Sequence, residues 1–85
     1  MDISKNEQRV LHLLAQGGSI HVRKDERRKV VDCVVVTRDG WHWNGCPLSV
    51  FTRLKRRRLI QSRAGAPYRV TELGLRRVRA QLDNR

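Results

Sequence analysis

The sequence predicts an α+β domain: an N-terminal helix, a three-stranded antiparallel meander, then a helix–hairpin–helix unit. Three observations carry this. Ser4-Lys5-Asn6-Glu7 is a capping box ahead of apolar residues at helical spacing. Lys29 to Thr37 is a β-branched run followed by Asp39-Gly40, a hairpin signal. Pro47 opens a segment in which Leu48, Val50, Phe51 and Leu54 fall on one helical arc. A chain of 85 residues, 39% hydrophobic and 5% aromatic, holds one such domain over residues 1–85, with a modest aliphatic core. So short a chain lies near the edge of independent stability, so a homodimer or a docked partner is expected.

Each element has its own reason. The first helix should run from about Ser4 to Gln16, with Val10, Leu11, Leu13 and Leu14 inward, His12 outward and Gly17-Gly18 as the stop. Ile20 and Val22 alternate with His21 and Arg23 as in a half-buried strand, and Lys24 to Arg28 is a polar turn. With Asp39-Gly40 as a two-residue turn, Arg38 faces Trp41 and Val36 faces Trp43. Both indoles then lie on the Asp32 side of the second strand, opposite Val31, Cys33 and Val35. Both faces of that strand are apolar. One face covers the helices, and the other is expected to meet a partner or a second copy.

Pro47 is placed at the first position of the second helix, where a missing amide costs nothing. Opposite its apolar arc runs the stripe Ser49, Thr52, Arg53 and Arg56, with Arg57 on the border. Leu59 to Ser62 and Tyr68 to Val70 are short strands around Arg63-Ala64-Gly65-Ala66-Pro67, a turn-rich tip. Thr71 caps a last helix in which Leu75, Val78 and Leu82 share one side while Arg76 and Arg77 point away.

The charge narrows the function. Nineteen Lys and Arg against eight Asp and Glu give a net +11, of which residues 48–82 supply +9 and residues 1–47 only +2. A solvated face usually mixes signs, so this excess points to an acidic partner: nucleic acid, an acidic protein surface or anionic lipid. No apolar run approaches a membrane span, so no membrane role is expected. The N-terminus lacks a basic-then-apolar leader, and a cytoplasmic protein is predicted.

Catalysis and cofactors find little support. There is no phosphate-binding Gly-Lys-Ser/Thr loop and no Gly-x-Ser-x-Gly elbow. His21 or His42 beside an arginine could cleave RNA by general acid–base chemistry, but three histidines on three elements read as surface residues. Cys33, His42 and Cys46, with His21, match no zinc spacing, and Cys33 among valines reads as a buried small hydrophobe. Neither metal nor cofactor nor enzymatic activity is expected.

A basic-faced helix, a two-stranded hairpin with Arg63 at its tip and a closing helix resemble the recognition half of a winged-helix domain. Such a helix, presenting Ser49, Thr52, Arg53 and Arg56, has the diameter and donors for a major groove, so a DNA-binding regulator is one expectation. A second resemblance covers essentially the whole chain. Glu7-Gln8-Arg9, Leu11-His12, Leu14-Ala15, Gly17-Gly18 and Ile20, then Val50-Phe51, Leu54-Lys55, Leu59-Ile60 and Pro67-Tyr68-Arg69, and the terminal Val78-Arg79-Ala80-Gln81-Leu82-Asp83-Asn84-Arg85 resemble the YjhX family of small bacterial proteins. That resemblance implies the toxin of a toxin–antitoxin pair, binding and inhibiting DNA topoisomerase I, with an acetyltransferase-like antitoxin, YjhQ, as its other partner. The face formed by Ser49, Thr52, Arg53, Arg56 and Arg57, with Arg63, is the expected contact surface.

Overall fold

In the computed structural model, Ser4 begins the first helix as the capping box requires. Its extended backbone precedes α1 (Lys5–Ala15), and the Glu7 amide donates to its Oγ at 3.2 Å. The structure describes residues 4–83, with side-chain surroundings through Val78. The return half of the box differs, because the Glu7 carboxylate accepts from the Ser4 hydroxyl at 3.3 Å and turns inward. The helix stops as expected: Gly17 takes φ +107°, its amide donates to Leu14 and that of Gly18 to Leu13.

Three strands follow, β1 (Ser19–Lys24), β2 (Val30–Val36) and β3 (His42–Trp43), antiparallel and in the order β1-β2-β3. Ile20 lies opposite Val35 and Val22 opposite Cys33, so these four share the face toward the helices. Val31 is the extra residue of a bulge, since Arg23 pairs with Asp32 and Lys24 with Val30.

The turn into β3 corrects the predicted register. Trp43 lies opposite Val35 and His42 opposite Val36, one residue away from the expected pairing. A two-residue turn on Asp39-Gly40 needs φ > 0 at Asp39, and there only Gly40 is positive, at +90°. The chain uses Arg38-Asp39-Gly40 as a three-residue loop, closed by Thr37 N–H to the Trp41 carbonyl at 2.8 Å and by the Trp41 amide on Thr37 Oγ1. A slip of one residue changes the face. Trp43 therefore packs against the core on the Val35 side, and Trp41 is left 74% exposed.

The second half comprises α2 (Leu48–Arg56), β4 (Ile60–Gln61), β5 (Arg69–Val70) and α3 (Glu72–Asp83). Pro47 stands one position outside α2 as its N-cap, with an extended backbone whose carbonyl accepts from Val50 and Phe51. Thr71 caps α3 as predicted, its Oγ1 accepting from the Gly74 amide at 3.0 Å while donating to the Arg58 carbonyl. Val78 is buried and Arg76 exposed, whereas Leu82 lies outside the residues with described side chains.

Besides helix packing, one antiparallel bridge among the described residues links the two sheets. Ile20 and Tyr68 exchange both amide–carbonyl hydrogen bonds at 2.8 Å, so the β4–β5 hairpin lies along the start of β1. Around this bridge the core gathers Val10, Leu11 and Leu14 of α1, Ile20, Val35, and Val50, Phe51 and Leu54 of α2, with Leu59, Ile60 and Val78. Each such side chain contributes about 1.5–3 kcal/mol, against about 0–1 kcal/mol for an exposed ion pair. The aliphatic cluster outweighs any exposed ion pair.

Where α3 crosses the hairpin, a Cβ on Gly74 would stand 2.5 Å from the Leu59 carbonyl oxygen and 2.6 Å from Val70 Cγ2. Backbone cannot give way cheaply there. Gly74→Ala gains about 1 kcal/mol of helix propensity but incurs about 1–3 kcal/mol of overpacking. Chemical denaturation should find this variant less stable than wild type. A more stable variant would mean that α3 does not approach Leu59 so closely.

Candidate functional site

The face of α2 opposite its buried Val50, Phe51 and Leu54 carries Ser49, Thr52, Arg53 and Arg56, all exposed. The four do not have equal freedom. Thr52 Oγ1 donates to the Leu48 carbonyl at 2.9 Å, which occupies its proton but leaves acceptor capacity outward. Arg53 Nη1 donates to Glu7 Oε1 at 3.4 Å, and Arg57 Nη1 to Glu7 Oε2 at 2.9 Å. Arg53 therefore differs from the purely solvent-facing side chain that helical geometry alone predicts. Its side chain is 55% exposed and that of Arg57 30%, against 2% for Glu7. Arg56 is exposed and takes part in none of the ion pairs of the described residues.

Sequence reasoning missed Glu7 as a tertiary residue. Its place at the third helical position explained it locally, and nothing in the pattern says that a capping carboxylate also faces another helix. Arg53 on α2 and Arg57 at its C-cap, four residues apart, form a clamp of the right spacing.

Arg63 stands apart from α2, exposed in the β4–β5 turn, where Ala64 (φ +52°) and Gly65 (φ +76°) reverse the chain. The hairpin is anchored to α2 through Tyr68. The Phe51 ring meets it edge-on with centroids 5.0 Å apart, and Lys55 Nζ lies 5.8 Å above its ring. Tyr68 thus joins β1, the hairpin and α2 at one point.

The two cysteines come together beneath the start of α2. Cys33 Sγ donates to the Cys46 carbonyl at 3.3 Å, and Cys46 Sγ to the Pro47 carbonyl at 3.8 Å. Burial raises the pKa of Cys33, and burial together with the neighbouring Cys33 pushes Cys46 up to about 12. Both are protonated at neutral pH, unsuited to ligate metal or attack an electrophile. Among the described residues, no three of His, Cys, Asp and Glu converge on a metal-sized site, and no helix is long and apolar enough to cross a membrane.

What fold and surface define is a small basic α+β domain with an exposed, cation-rich helix face. Comparison with known proteins makes this specific. A family described as "Putative toxin of bacterial toxin-antitoxin pair" matches residues 1–85, and the chain belongs to this YjhX toxin family. It is 56% identical to a UPF0386 protein of Rhizobium etli and 55% to one of Parvibaculum lavamentivorans, each over the full length of both chains. A UPF0386 protein of Caulobacter vibrioides is 53% identical, across all of this chain and 93% of the relative. No solved structure matches the chain.

The thiol environment has a measurable consequence. Cys46 at about 12, against 9.0 for an ordinary thiol, has about a thousandfold less thiolate at pH 8. Iodoacetamide should modify Cys46 in the folded protein at least ~100-fold more slowly than in the urea-unfolded chain. Comparable rates would mean that Cys46 is not held in this buried setting.

Proposed function

We propose that this chain is the toxin of its pair and acts by binding and inhibiting DNA topoisomerase I, without chemistry of its own. Membership of the toxin family carries this reading, and the family resemblance supplies the target. The contact is the exposed face of α2, Ser49, Thr52, Arg53 and Arg56 with Arg57, extended by Arg63. A net +9 over residues 48–82 would steer that face toward an acidic patch of the enzyme or toward the DNA it holds. An acetyltransferase-like antitoxin would be the partner that relieves inhibition, and both proteins would work in the cytoplasm.

A second reading, a DNA-binding regulator, is favoured by one observation. Tyr68 of the hairpin packs against Phe51 and Lys55 of α2, and a hairpin beside a basic-faced helix is the arrangement that a wing and a recognition helix would need.

Relaxation of supercoiled DNA by purified topoisomerase I, with this protein in molar excess, separates the two. Inhibition is expected. If relaxation is untouched while the protein shifts duplex DNA at low salt, the regulator reading replaces the toxin reading. Within the toxin reading, Arg56→Glu should slow association about tenfold at low salt and change stability by under about 0.5 kcal/mol. Arg53→Glu is a poorer probe, because it sets a second carboxylate beside buried Glu7. An Arg56→Glu variant that inhibits as wild type would move the contact off this face.

A further inference from the structure

The β1–β2 hairpin reaches well beyond the sheet that supports it. β3 pairs only with Val35 and Val36, and on the other edge Tyr68 pairs only with Ile20. From Val22 and Cys33 outward, the hairpin is a two-stranded ribbon with both edges unpaired by the described strands. Its end is strongly basic: Arg23 to Lys29 holds five basic and two acidic residues, net +3.

One of the two acids builds the turn. Asp25 Oδ1 accepts from the amides of Arg27 and Lys29 at 2.8 and 2.9 Å, and the Asp25 amide donates to the Lys29 carbonyl. Arg28, at φ +62°, donates its amide to the Asp25 carbonyl. The turn thus presents Arg27, Arg28 and Lys29 outward. All three are exposed, and none takes part in the ion pairs of the described residues.

The register fixes where this end points. β1 and β5 are antiparallel at Ile20–Tyr68, so continuing along β1 toward Lys24 runs beside β5 backward, toward the Arg63–Pro67 turn. The two hairpin ends therefore point the same way. At about 3.3 Å per residue, the Asp25–Arg28 turn stands roughly 17 Å beyond the bridge, and the Ala64–Gly65 turn lies within four residues of Tyr68. The start of α2 lies at this end too. Cys33, opposite Val22, donates to the Cys46 carbonyl, and α2 packs on both β2 and β4.

From this arrangement we infer that the β1–β2 turn is a second basic prong, which with the Arg63 turn grips the phosphate backbone of duplex DNA on either side of α2. The helix has the width of a major groove, and cationic turns flanking it fall where the two phosphate strands run. Peptide acids would neutralise the same cations, but two separated prongs around a helix match a duplex better than one acidic patch. This inference rests on the nucleic-acid side of the proposed function and adds Arg27, Arg28 and Lys29 to its contacts.

The test is fluorescence anisotropy with a labelled 25-base-pair duplex, titrated between about 50 and 200 mM salt. The variant is Arg27→Ala/Arg28→Asn/Lys29→Ala, with asparagine chosen because it tolerates the left-handed backbone. Each lost phosphate contact lowers the salt slope by about 0.9, so the slope should fall by roughly 1–3 and affinity by about tenfold at low salt. Arg76→Ala, on α3 beyond Val70 and so at the opposite end, should leave both nearly unchanged. Amide shifts of the wild-type protein on adding duplex should cluster at Lys24–Lys29 and Arg63–Ala66, without need of a substitution. Equal slopes for wild type and the triple variant, or shifts confined elsewhere, would overturn the prong. So would failure of the wild type to bind duplex, whereas topoisomerase inhibition would stand or fall by the relaxation assay alone.

Discussion

A carboxylate with almost no access to water sits between α1 and α2, and the placing of the basic helix depends on it. Glu7 accepts from Ser4, Arg53 and Arg57, three donors from two elements. An unpaired carboxylate at that depth costs several kcal/mol. The arginines are in a different position, since Arg53 is more than half exposed and can return to water. The constraint is therefore asymmetric: Glu7 needs the arginines more than they need Glu7. Because both come from one side of α2, satisfying Glu7 fixes the rotation of that helix and hence which residues face outward.

The Ile20–Tyr68 bridge performs a matching task for the strands. The meander and the β4–β5 hairpin are separate sheets of three and two strands, and this bridge is the backbone pairing between them. A two-stranded hairpin is marginal alone. Bridged to β1, and with Tyr68 packed against Phe51 and Lys55, it becomes part of the body. The proposed contacts depend on this placement, since the antiparallel bridge directs both hairpin turns the same way. The proposed surface, made of three separate elements, would need such fixed geometry more than a pocket.

Much of this was legible in the sequence. Order and type of elements followed from the capping box, the valine run, Pro47 and Thr71, because those signals are local. The outward stripe of α2 was also legible, since helical periodicity sets it opposite the apolar arc of Val50, Phe51 and Leu54, although the carboxylate that helps to hold that rotation was not. What depended on distant partners was not. Asp39-Gly40 is compatible with two loop lengths, and the choice moved Trp43 to the core side and left Trp41 exposed. Glu7 read as a cap because its partners lie more than forty residues away. The direction of the β1–β2 turn relative to Arg63 rests on one bridge of two residues, for which neither Ile20 nor Tyr68 carries a signature.

The dependence of α2 on Glu7 is most directly measured by a double-mutant cycle on unfolding free energy, using Glu7→Gln, Arg57→Met and the pair. Arg57→Met alone should cost about 2–4 kcal/mol by leaving the carboxylate short of a donor, and Glu7→Gln should cost less. In the double variant much of the Arg57→Met loss should be recovered, giving a coupling of at least about 1.5 kcal/mol. Losses that add to within about 0.5 kcal/mol would contradict the account, because Glu7 and Arg57 would then act independently and α2 would owe its placement to the aliphatic core alone.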